Sequence, residues 1–196
     1  MKYLVLAMVL LAGAAHAEGG TDPDWPCVQR KQPHLSLGQM WTGPQPDDAI
    51  RNLAATRPIA TLADRLEQRR LPMEQAQAEI SEFAKGADNQ QLTALMVAVF
   101  DRIDPHRSAL ISGIARYGHK QVALAQRIQD HRDKMEALQK VEKPDFDAID
   151  ATEQQLDWDT RIFQDRQQSL TYVCETPVIL EQRIFALALA ISADLK

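Results

Sequence analysis

Four histidines downstream of the N-terminal apolar stretch (His34, His106, His119 and His131) are the side chains best suited to acid–base or metal chemistry. None falls in an HExxH, ExxH or His-x3-His spacing, which would set two ligands on one helical face. His131 stands apart because it interrupts an otherwise apolar helical seam. Met135 lies one turn further along the same face, and Glu153 is expected on the helix opposite. Together His131, Met135 and Glu153 form a candidate site for a copper ion or the edge of a haem. The simpler expectation is a core histidine hydrogen-bonded to Glu153 that fixes the register of two helices. There is no CxxCH, so covalent c-type haem is excluded, and no resident cofactor is expected.

Other chemistry is thinner. Six carboxylates lie between Asp145 and Asp159, but Asp145-x-Asp147 lacks the glycine of a calcium loop and reads as charge at a helix N-terminus. GxSxG, P-loop and GxGxxG motifs are absent. Ser108 and His106 are close in sequence, which does not by itself align a hydroxyl for attack. The net charge is −5 with no Lys/Arg-dense run, so no nucleic-acid partner is expected.

Compartment is read from the first residues and the cysteines. Lys2, the apolar Tyr3–Ala15 stretch and Ala15-His16-Ala17 predict a cleaved signal peptide over residues 1–17, and hence a periplasmic or secreted protein. Cys27 and Cys174 both survive that cleavage. An even pair in an oxidising compartment predicts a disulfide, and their separation rules out a CxxC redox motif. The apolar run Ile184–Ile191 is too short to span a bilayer, so no transmembrane segment is expected after signal removal.

Between Glu18 and Pro46 lie five prolines and four glycines, which disfavour helix, together with Trp25, Cys27 and Trp41. Residues 18–58 are expected to form an irregular arm tethered through Cys27, with an extended piece at His34–Leu37. Its aromatic content makes Trp25, Trp41, Met40 and His34 candidates for partner binding, beside the alternative of burial against the chain's own core.

Residues 59–196 are expected to form an all-α bundle, giving five or six helices in all. Thr56 and Pro58 mark the start of one helix, Pro72 to Gly86 bound a second, and a third follows Asp88-Asn89 and ends or kinks at Asp104-Pro105. Leu110, Ile114, Tyr117, Gln121, Leu124, Ile128, His131, Met135 and Leu138 follow a 4-3 heptad spacing. A second seam reads Phe146, Ile149, Glu153, Leu156, Thr160, Phe163, Gln167, Leu170 and Cys174. The short break between them predicts a long antiparallel coiled-coil-like hairpin over residues 106–174. Folding it about residue 142 sets Leu138 against Phe146 and Leu124 against Thr160, and brings Arg127 to Asp159 and Arg132 to Asp150. A closing helix should follow Pro177.

The functional expectation is an exported, non-enzymatic accessory protein that binds another envelope or secreted protein. The alternatives are a metal- or haem-binding bundle and an envelope hydrolase. Spare helical faces also allow a homodimer.

Overall fold

The structure, a computed structural model, describes Asp22 and residues 24–196. The predicted signal peptide lies outside the described residues. Six helices follow in order: α1 (Leu37–Met40), α2 (Asp48–Ala54), α3 (Arg57–Leu66), α4 (Met73–Ala84), α5 (Asn89–Gln139) and α6 (Phe146–Ala193). The described residues form an all-α assembly dominated by α5 and α6, each roughly 70–75 Å long at 1.5 Å per residue.

The helix starts follow local chemistry. Asp47 caps α2 by accepting the Ile50 N–H at 2.8 Å. Thr56 stands at the N-cap of α3 with Pro58 in its first turn, and Pro72 precedes α4. Asp88 accepts the Gln91 N–H while Gln91 accepts the Asp88 N–H, a reciprocal cap that starts α5. Asp145 accepts the Ala148 N–H and starts α6.

At one end, Leu92–Val99 of α5 are buried on every side, because α2, α3 and α6 all pack around this stretch. Leu95, Met96 and Ile103 join Ile184, Leu187 and Ile191 of α6 and Ile59, Leu66 and Ile80 of the shorter helices in one core. The buried Arg183 closes this head: its Nε and one Nη donate to the carbonyls of Leu66 and Leu71, where α3 ends and the chain turns toward α4.

Beyond the head, α5 and α6 run antiparallel. Gln121 Nε2 reaches the Phe163 carbonyl, and Tyr117 donates to that of Arg166, which places the pairing in the predicted register. Arg127 and Asp159 meet through two hydrogen bonds at 2.5 and 2.8 Å, as that register requires. Arg132 and Asp150 form no ion pair.

Several expectations need correction. Residues 18–58 are not wholly irregular: α1 and α2 lie within them, α2 starting just after Pro46, and α3 begins at Arg57. The extended piece expected at His34–Leu37 stops one residue early: Ser36 is extended and its N–H donates to Gln39 Oε1, while Leu37 already opens α1. Both long helices continue through their prolines, Pro105 and Pro177. Pro105 and Asp101, whose carbonyl loses its partner, are both exposed, so water can satisfy that oxygen. Because α6 is continuous, the apolar run at Ile184–Ile191 belongs to a longer one. An 18-residue window of α6 reaches a mean hydropathy of 1.4, enough by length and composition to cross a membrane, and 39% of it is buried in the protein.

The α6 seam also differs at alternate positions. Ile149, Leu156, Phe163 and Leu170 face inward as expected, but Thr152 and Asp159 are buried where Glu153 and Thr160 were assigned, and Glu153 and Phe146 are exposed. A heptad seam alternates steps of three and four, and the apolar residues fix only every seventh position.

One small residue governs where the arm crosses α5. A Cβ placed on Gly118 would fall inside the carbonyl of Asp24 and against the ring of Pro26. Gly118→Ala should therefore displace the arm, lowering stability by about 1–3 kcal/mol and speeding limited proteolysis before Cys27, whereas Gly113→Ala, which meets only open space and a flexible Arg116, should be close to neutral.

A candidate binding groove between the arm and the hairpin

Cys27 and Cys174 form a disulfide with a Cα–Cα distance of 5.6 Å, tying the arm to α6 across 147 residues. Such a bond persists in oxidising surroundings. Polar contacts complete the attachment. Asp24 Oδ2 lies 2.5 Å from His119 Nδ1, and Lys31 pairs with Asp22 at 2.6 Å. Hydrogen bonding from Lys31 is the largest influence holding the Asp22 carboxyl below its ordinary range.

The arm then crosses α5 again at one helical turn. The Leu35 N–H donates to Asp104, Arg107 donates to the Gln32 carbonyl at 2.9 Å, and Ser108 donates to the Pro33 carbonyl at 2.6 Å. Ser108, His34 and Asp104 thus cluster, but not as a relay. Ser108 Oγ, at 3.0 Å, and Asp104 Oδ2, at 3.6 Å, both approach the same ring nitrogen, Nδ1 of His34. A triad places hydroxyl and carboxylate on opposite ring nitrogens. His106 is directed elsewhere, with Nδ1 3.8 Å from Glu67.

Between the arm and the two long helices lies a groove of about 530 Å³. Trp25 and Met40 form its arm side, Ile111 its α5 side, and Val178 and Phe185 its α6 side. Trp25 is half-buried and held by a hydrogen bond from Nε1 to the Gln29 carbonyl at 2.6 Å. Gln29 in turn reaches the Cys174 carbonyl at 3.4 Å, so the disulfide and the wall are joined. Arg30 lies on the rim with no ion pair among the described residues. Arg107 is 4% exposed. It binds Glu181 at 3.1 Å, and its buried Nε has no partner.

Of the four arm residues expected to bind a partner, two line this groove, Trp25 and Met40. Trp41 does not: it is 2% exposed in the head, its Nε1 donates to the Pro44 carbonyl, and its ring occupies the space a side chain at Gly43 would need. His34 is exposed and lies outside the groove lining. The residues missed by sequence reasoning are Ile111, Arg107, Val178 and Phe185. Their spacing marks them as helix faces and carries no signal that an arm would lie beside them.

The second candidate site is also rearranged. His131 Nε2 lies 3.5 Å from Asp159, not beside Glu153, which is exposed, while Met135 is half-buried one turn on. Arg127 already engages both Asp159 oxygens, and its hydrogen bonding is the main cause of the low Asp159 pKa. A cation held by His131 and Asp159 would have to compete with that guanidinium. Among the described residues no group of three or more His, Cys, Asp or Glu side chains converges as a metal site.

The chain matches no protein-family model, no curated protein and no solved structure.

The hairpin pair gives a signed pH expectation. Because Asp159 ionises more readily folded than unfolded, its contribution is complete above the ordinary carboxylate range, near pH 4, and is lost as pH falls through its lower folded value. Asp159→Asn should cost on the order of 1 kcal/mol at neutral pH and flatten the acid limb of stability, as read by urea denaturation from pH 7 to pH 3.

Proposed function

We propose that this protein is exported to the periplasm or secreted, and that it acts without catalysis by binding another protein of that compartment. The observation that carries the reading is the outer face of the C-terminal half of α6. Leu180, Ile184, Leu187 and Ile191 fill the core. On the opposite side, Val178, Phe185 and Leu189, interrupted by Gln182 and with Ile179 nearby, make a second, mainly apolar stripe whose Val178, Gln182 and Phe185 also border the groove. Ile179, Phe185 and Leu189 are 45%, 51% and 56% exposed.

A helix apolar on both sides is normally covered on both sides. The inner side fixes α6 in the head, so the outer stripe is the surface available to a partner. The disulfide and the N-terminal signal-like sequence support the oxidising compartment. A protein partner is favoured over bilayer insertion of this helix because Arg183, set among the same apolar residues, is engaged by the carbonyls of Leu66 and Leu71. Inserting the helix would strip away both.

The test is a photo-crosslinking residue at Leu189 in the exported protein within its native envelope. One discrete heteromeric adduct is expected, absent when the probe sits at the exposed Gln77 of α4 and lost with Ile179→Asp. An adduct of twice the chain mass, lipid adducts alone, or no adduct would overturn the proposal.

A further inference from the structure

The groove between the arm and the hairpin adjoins the outer α6 stripe and shares Val178, Gln182 and Phe185 with it, but its other walls come from the arm and α5. Its wall follows α6 from Cys174 through Val178 to Phe185, a run of three helical turns or about 16 Å. A trough of that length and about 530 Å³ suits a flexible chain lying along it better than a compact ring. Trp25, Met40, Ile111, Val178 and Phe185 give it apolar sides.

Charge at the groove is unbalanced. Two guanidinium groups, Arg30 and Arg107, line it against the single carboxylate of Glu181. Glu181 is engaged by Arg107, which leaves Arg30 at the rim as the groove-lining cation without an ion pair among the described residues. Arg107, almost wholly removed from water, is neutralised by Glu181, so the net positive charge of the lining rests on Arg30. The remaining polar lining is neutral glutamine: Gln29, Gln32, Gln39 and Gln182. We propose that the groove binds a single-chain monocarboxylate amphiphile, a free fatty acid of medium chain length, with its chain along α6 and its carboxylate at Arg30. This site shares Val178, Gln182 and Phe185 with the proposed partner stripe, but the two readings are tested apart, since Leu189, where the partner is probed, lies outside the groove lining.

Dodecanoate below its micelle concentration is the probe, titrated calorimetrically into the oxidised protein. Saturable one-to-one binding is expected, at least tenfold tighter than for dodecyltrimethylammonium and undetectable for butyrate. Val178→Trp, which fills the trough, should abolish binding while the melting temperature stays within a few degrees. Arg30→Glu, an exposed change that keeps the fold, should weaken dodecanoate at least tenfold and decides the matter if Val178→Trp unfolds. Absence of saturable binding, equal uptake of the cationic amphiphile, or affinity unchanged by Arg30→Glu would overturn the proposal. So would failure of dodecanoate together with a protein crosslink from a probe at Val178, which would make the trough part of a protein interface. Loss of the Leu189 crosslink with dodecanoate binding intact would count against the partner reading alone.

Discussion

Where the arm's backbone first crosses helix α5 it lies against a residue without a side chain, Gly118, and most of the surface architecture follows from that contact. With Asp24 seated on Gly118, Cys27 comes within bonding reach of Cys174 and Trp25 turns into the space beside α6. Residues 32–35 are then led across Asp104, Arg107 and Ser108. The groove exists because the arm, non-helical up to Ser36 and then turning into α1, is held a fixed distance from two helices. Covalent and polar attachments hold it there jointly. The disulfide limits how far the arm can travel, and the clasp at α5 sets its path.

Much of the helical framework was legible because its causes are local. Thr56 at the N-cap of α3 and acidic charge at the start of α6 are short-range effects, and the α5 seam from Leu110 to Leu138 faces inward as its spacing required. The register was legible too, since a short loop leaves two seams little freedom, and Arg127–Asp159 follows from it. The α6 seam was readable only at every seventh residue. Thr152 and Asp159 are no more apolar than Glu153 and Thr160, so composition could not choose between steps of three and four. Prolines were over-read as ends, because α5 and α6 both continue as helix past Pro105 and Pro177 despite a missing donor.

The groove was much less legible. Trp25 and Met40 were identifiable as aromatic and apolar residues in a proline-rich segment, but Trp41 met the same description and lies in the core. What separates them is Gly43, which leaves room for the Trp41 ring and whose significance appears only in three dimensions. The clasp residues Asp104, Arg107 and Ser108 bind partners about seventy residues away, and nothing in their own neighbourhood announces this. Burial of Arg107 is intelligible only once the Gln32 carbonyl and Glu181 are seen beside it.

The sulfur bridge also decides how the molecule would carry mechanical load. Tension applied between the residues preceding Cys27 and Lys196 passes directly across the bond to Cys174, bypassing the 147-residue span it encloses. Helices α1 to α5 and the hairpin's distal half therefore lie outside the force path, and only the stretch before Cys27 and the last part of α6 can lengthen. Long solitary helices are mechanically soft elements, yet here the tip of the hairpin hangs from a closed covalent ring and bears none of the pull.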